Sequence, residues 1–342
     1  MSIPRALRGI TAIGVLAVLP SCEHTQPFSS AAYQTGAPLN PGNPTQLTFS
    51  PGVDTRATWL PDGSAFLYTQ EQTGSADADR CLVQMPKTGG QTTRLICESG
   101  DIGHDTLNDL ESAAVNAATR MVYVRTSMRA HIGEAGPDNA GLMLATLGTP
   151  VPGSTLHALP YPSPSGQGVD MASDISWVGP SALVYLGEEV SYPSVCPGCA
   201  AVDTVRAGVE IDRIDVNGAI TVVVDTGFPS SASVAGGDTL YYTLTNSGAI
   251  HRRILSTSAD TVLFDYGLPA TDVSAGGGRL VVVVSGLTLH LFTPATATDQ
   301  TLLSPPSAVG IAHPAIDPTG HRIVADVTEF NSSPNLWLWT VP

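Results

Sequence analysis

The sequence predicts an all-β fold, a closed ring of six four-stranded antiparallel sheets: a six-bladed β-propeller. Three observations predict it. A degenerate repeat returns six times, at ATWLPDGSAFLYTQ from Ala57, AAVNAATRMVYVRT from Ala113, DISWVGPSALVYLG from Asp174, ASVAGGDTLYYTLT from Ala232, TDVSAGGGRLVVVV from Thr271 and HPAIDPTGHRIVAD from His313. Each copy reads as a short strand, a tight turn and a strand rich in Val, Tyr, Leu and Phe, and such spacing marks a radial array of small sheets. Composition agrees: charged residues are 13% of the 342, whereas Gly and Pro number 34 and 27, which favours many strands and many turns. Finally, one strand near the N-terminus lacks a sheet of its own, and the last repeat lacks a fourth strand.

The first residues read as an address. Arg5 and Arg8 precede an apolar run from Ile10 to Leu19 that ends in Leu19-Pro20-Ser21-Cys22. A charged start, a short apolar run and a small residue make a signal peptide over 1–21, and the run is too short to span a bilayer. The ending resembles a bacterial lipobox, which implies a lipidated Cys22 at the mature N-terminus. An ordinary secretory signal with an incidental Cys is the alternative, and Pro20 is unusual in its lipobox slot. A multiply acylated Cys holds a chain at the membrane better than one acyl chain does. Glu23, being other than Asp, suggests the outer membrane by the lipoprotein sorting pattern, facing the periplasm or the cell surface; a Gram-positive surface is also open. From Glu23 the chain is polar and rich in Pro, Ser, Gly, Thr and Asn, so 22–44 reads as lipidated Cys plus disordered tether. A tether of about 24 residues holds its ends roughly 25–30 Å apart. A single propeller domain fills 45–342.

With strands lettered A to D from the centre outward, blade one reads 56–60, 64–70, 81–85 and 92–97. Blade two is least regular after its second strand, with C and D near 141–146 and 154–159. Blade three reads 174–178, 182–186, 208–216 and 219–225 around a long insertion, and blade four 231–235, 239–244, 249–255 and 260–266. Blade five reads 271–275, 279–284, 287–292 and 300–303. Blade six has A, B and C at 315–317, 322–327 and 335–340, and then the chain stops at Pro342. Thr45-Gln46-Leu47-Thr48-Phe49-Ser50-Pro51 looks like the D strands at 300–305 and 260–264. Set as the outer strand of blade six, it closes the ring from both ends and leaves only short protected edges.

The pattern A-x-W-x-P-D-G-x-x-x-x-Y, matched by Trp59, Pro61, Asp62, Gly63 and Tyr68, resembles the repeat of TolB-like six-bladed propellers. Asp317, Pro318, Thr319 and Gly320 match in part, and Trp177 and Tyr185 keep the aromatics alone. The resemblance implies an Asp-Gly turn between A and B, with the Trp or apolar residue packed between blades. It also implies partner binding in the cell envelope.

Net charge is −15, and falls to about −17 once Arg5 and Arg8 leave with the signal, which disfavours nucleic acid and anionic headgroups. Cys81 and Cys97 lie symmetrically about the Thr88-Gly89-Gly90 turn, facing each other across neighbouring strands. Cys196 and Cys199 form C-P-G-C. In an exported chain two disulfides are the economical reading, a redox-active C-x-x-C being the alternative.

Long connections fall in B–C positions (71–80, 127–140, 187–207, 328–334) and D–A positions (98–112, 160–173, 304–312), which emerge on one face of a propeller. Long loops on a rigid scaffold are where binding usually resides. The candidates there are His104, Asp105, Asp109 and Glu111 in a D–A link, Arg129 and His131 in the blade-two loop, and Glu188, Glu189 and Tyr192 at the start of the blade-three loop. No G-x-S-x-G, H-E-x-x-H, P-loop or Ca²⁺-loop spacing occurs. The expectation is therefore a monomeric, lipid-anchored, non-catalytic scaffold for an envelope protein, a peptidoglycan-linked partner or another ligand, without a cofactor. The alternative is a lactonase-like, metal-dependent hydrolase with a divalent metal held at the channel mouth by residues such as His104, Asp109 and Glu111.

Overall fold

A computed structural model describes residues 43–71, 80–98, 106–131, 134–137, 140–148, 153–159, 161–162, 168–169, 171–191 and 205–342. Cys22, His104, Asp105, Tyr192, Cys196 and Cys199 lie outside the described residues, as do the signal peptide and most of the tether.

The chain forms six four-stranded antiparallel blades in a ring. From the centre outward, blade one is Asp54–Trp59, Ala65–Glu71, Arg80–Pro86 and Thr93–Glu98. Blade two is Thr106–Val115, Arg120–His131, Ala140–Thr146 and Ser154–Leu159, with Glu134–Pro137 adding a fifth strand beside the second. Blade three is Met171–Val178, Ala182–Ser191, Val205–Asp215 and Ile220–Val224. Blade four is Pro229–Ala235, Thr239–Leu244, Ala249–Ile254 and Ala259–Asp265. Blade five is Ala270–Gly276, Arg279–Val284, Thr288–Thr293 and Thr298–Thr301. Blade six is Ala308–Ile316, Arg322–Glu329 and Asn335–Thr340, completed on its outer side by Thr45–Gln46.

That last pairing closes the ring. Thr45 and Gln46 lie opposite Leu338 and Trp337, and the Leu47 N–H donates to the Leu336 carbonyl at 2.8 Å. Leu47 then enters the core with Leu336, Leu338, Trp59 and Phe66, so both ends of the chain fill one inter-blade layer.

The core consists of six such layers, one between each pair of neighbouring blades. The B strands are buried on both faces and lack the apolar–polar alternation of a half-buried strand. Phe66 and Tyr68 pack toward blade six while Leu67 packs toward blade two, so both faces are buried and polar residues are absent from the middle of the strand. Trp59 lies in the layer between blades six and one and donates its indole N–H to the Ala315 carbonyl at 3.0 Å; Trp177 donates likewise to Ala114 at 3.1 Å. Each aromatic ties its A strand to that of the preceding blade.

The A–B turns follow the sequence. Gly63 has φ 65°, open to glycine without strain, and Asp62 Oδ1 accepts both the Ser64 N–H and hydroxyl. Asn116 and Asp317 do the same work in blades two and six, accepting from Ala118 and Arg120, and from His321 and Arg322. Cys81 and Cys97 stand directly opposite each other and form a disulfide.

Candidate functional site

The innermost strands converge on a central channel, and each contributes one polar residue at the same place in the repeat. Going round the ring these are Arg56, Ser112, Asp174, Ser231, Asp272 and His313, and all six line one cavity of about 110 Å³. That is room for a few waters or one small polar group.

Local backbone geometry places them. Every A strand slips register against its B strand near this level, a β-bulge that turns a side chain out of the sheet alternation. In four blades the ring residue itself is left-handed, with φ of 56° at Arg56, 37° at Ser112, 49° at Asp174 and 44° at His313. Non-glycine residues resist that conformation, and such strain concentrates at functional positions.

Neighbouring blades are laced together by these side chains. Asp174 accepts the Ala232 N–H at 3.1 Å, Ser231 accepts the Val273 N–H at 3.2 Å, and Asp272 accepts the His313 N–H at 3.3 Å. Asp326, from the second strand of blade six, accepts the Arg56 N–H at 3.1 Å and the Thr55 hydroxyl. Arg56 reaches across toward Asp174 at 3.8 Å and donates to Ser112 at 3.4 Å.

Within the ring, His313 Nδ1 sits 2.7 Å from Asp326 Oδ2. Burial and the Arg56 charge push the imidazole pKa down, but the hydrogen bond and charge of Asp326, aided by Asp272, outweigh them and hold it above that of free histidine. The cation therefore persists to higher pH than usual, which suits holding an anionic group or donating a proton. Burial raises Asp272, more than the His313 charge lowers it. Asp54, just above the ring at the seam of blades one and six, is raised to about 6 by burial, despite hydrogen bonding from Thr48 and Gln70.

The residues that the sequence singled out fare differently. Asp109 and Glu111 belong to the first strand of blade two, and Arg129 and His131 to its second, rather than to loops. Glu188 and Glu189 lie in the second strand of blade three, opposite Val209 and Gly208, and Glu188 is buried. These boundaries move because the B–C hairpins of blades two and three continue pairing well past the length of the other blades. Among the described residues no three of His, Cys, Asp and Glu converge closely enough to hold a metal ion. The ring residues share a position in the repeat, a polar residue three or four positions before the last apolar residue of each A strand, but ring closure was needed to show that they meet.

No family model matches the chain, and no curated protein does either. Solved structures do. A protein provisionally named TolB, from Agrobacterium tumefaciens, is similar with a TM-score of 0.55 at 13% identity, over 87% of this chain and 97% of that one. A protein provisionally named a gluconolactonase is similar with a TM-score of 0.53 at 11% identity, over 89% and 95%. An oligogalacturonate lyase in complex with manganese is similar with a TM-score of 0.50 at 16% identity, over 87% and 80%. At such identities the likeness establishes the six-bladed fold and leaves function to the residues.

Proposed function

We propose that this protein is a lipid-anchored scaffold of the cell envelope that binds a protein or peptidoglycan-linked partner through the face formed by its B–C and D–A links. The observation that carries the reading is the asymmetry of the ring. The B–C hairpins of blades two and three run on to His131 and Ser191, whereas blades four and five turn within a few residues. Strand direction adds support. Thr45–Gln46 runs antiparallel to Asn335–Thr340, so residue 44 emerges on the A–B/C–D side, opposite the elaborated face. A tether to an acylated Cys22 would leave that face turned away from the lipid.

The test exploits the register. Ser191 and Val205 are directly paired, so replacing 192–204 with Asn-Gly closes the hairpin with a favoured turn. Full-length protein and this variant are solubilised from the native envelope and their co-purifying proteins and peptidoglycan fragments compared. The expected result is a stoichiometric partner with the parent chain and its loss with the variant; an unchanged set of partners overturns the reading.

A hydrolytic role has one observation in its favour, the His313–Asp326 pair against the channel cavity. Turnover of ester or lactone substrates that His313→Ala abolishes, in protein of unchanged stability, would establish it.

A further inference from the structure

Among the described residues the exposed large apolar side chains are not scattered. Phe228, Leu268, Leu287, Leu303, Val309 and Phe330 lie in B–C or D–A links of blades four to six or at their margins, with Phe49 at the closing seam. Phe330 is 77% exposed and Leu303 62%, and exposed apolar residues gathered on one face mark interaction sites. Val262, on an outer strand, is the exception.

These links form one continuous belt. The Thr245 N–H donates to the Phe228 carbonyl at 2.9 Å, Ala270 to Ser247 at 2.7 Å, Ser285 to Pro269 at 2.7 Å, and Ile311 to Gly286 at 2.7 Å. The Ser304 hydroxyl donates to the Leu287 carbonyl at 3.2 Å, Ser307 to Glu329, and Ser333 to the Pro51 carbonyl at 3.2 Å. The apolar side chains therefore stand on a pre-ordered arc, which lowers the entropy cost of binding.

The charge on the arc has one sign. Asp225, Asp265 and Glu329 are its ionisable residues, and no Lys or Arg falls between 47 and 53, 225 and 230, 245 and 248, 265 and 270, 285 and 287, or 302 and 310. Lys87, Arg94, Arg120, Arg279 and Arg322 stand instead at the A–B and C–D turns of the opposite face. Over blades four to six the apolar side chains are accompanied only by carboxylates, and Arg80 at the blade-one margin is paired with Glu71 at 3.1 Å, so the arc complements a segment that carries apolar and basic residues together.

We infer that the arc over blades four to six docks a basic, amphipathic peptide segment of a partner protein. This deepens the scaffold reading and rests on it, naming a part of the face distinct from the blade-two and blade-three hairpins. The occupant is a polypeptide; a lipid surface is disfavoured by the net charge of −15.

The probe is a fluorescein-labelled peptide of alternating Leu and Lys in helical register, with a Leu/Glu peptide of equal length as control, read by anisotropy against the full-length protein. Binding of the Leu/Lys peptide that weakens with salt, absence of binding by Leu/Glu, and a loss of about tenfold or more in the Phe330→Ser/Leu303→Ser variant are expected. Both positions are exposed, so the variant should fold, and its melting temperature checks that. Replacement of 192–204 should leave peptide affinity unchanged while it removes the native partner, which separates this inference from the scaffold reading. Equal binding of both peptides, unchanged affinity in the Phe330/Leu303 variant, or tighter binding to anionic vesicles than to the peptide would overturn it.

Discussion

Asp54 makes the closing seam of the ring sensitive to pH. It is fully buried between blades six and one, accepts a hydrogen bond from Gln70 at 3.1 Å, and is raised from 3.8 to about 6, chiefly by burial. A raised carboxyl means that the folded state holds a proton which the unfolded chain releases. Stability from this group is complete below pH 3.8 and declines as pH rises through about 6. The shift of about two units corresponds to about 3 kcal/mol lost by pH 7.5. Asp54→Asn removes that dependence while keeping size and shape. The new amide has a packing and hydrogen-bonding cost or gain of its own, but not one that varies with pH. Thermal unfolding of parent and variant, followed by circular dichroism from pH 4 to 7.5, therefore reads the carboxyl alone as a difference of differences. The variant should gain about 2.5 kcal/mol, or about 4 °C, relative to the parent across that range. Parallel curves would refute the reasoning, because they would show that Asp54 releases its proton at the same pH folded and unfolded.

Other outcomes follow from the same geometry. Asp326→Asn should lower the His313 pKa, since the group that holds it up is neutralised; an NMR titration of the imidazole checks this, and an unchanged midpoint refutes it. Trp59→Phe deletes the indole bond to Ala315 across the seam and should cost about 2 kcal/mol, seen as a fall in melting temperature of about 3 °C. Opening the Cys81–Cys97 bridge, whose partners are 16 residues apart, by replacing both with Ser should cost about 3 kcal/mol in denaturant unfolding. Cys22→Ser should move the protein from the membrane to the soluble fraction and abolish incorporation of labelled fatty acid; retention of either signal argues against lipidation.

The ring was legible because its repeat is written in local chemistry. Asp62-Gly63 dictates a turn, Phe66-Leu67-Tyr68 a strand, and Thr45–Phe49 a D strand without a sheet, so six blades and their closure follow from pattern alone. What the sequence conceals is what curvature brings together. Arg56, Asp174, Asp272 and His313 are separated by roughly a blade or more of chain and meet only because the A strands line one channel. Their isolated polar side chains look like solvated turn residues until the ring is closed. Glu188 misleads in the opposite way. A carboxylate beside a long insertion reads as an exposed loop residue, yet the hairpin keeps pairing past it and buries it. The apolar arc was hidden for a third reason: Phe330 and Leu303 sit next to Pro, Ser and Asn in turns, and a single exposed apolar residue is unremarkable until its neighbours in space are known.

The proposed scaffold role requires that the B–C/D–A face engage a partner. Photo-cross-linking in the native envelope tests it most directly, with a photoreactive amino acid at Phe330 on that face and, in a second variant, at Thr257 in a turn of the opposite face. An adduct of one defined mass from position 330, absent from position 257, is the predicted result. Adducts from 257 alone, or none from 330 in protein shown to be folded and membrane-associated, would contradict it.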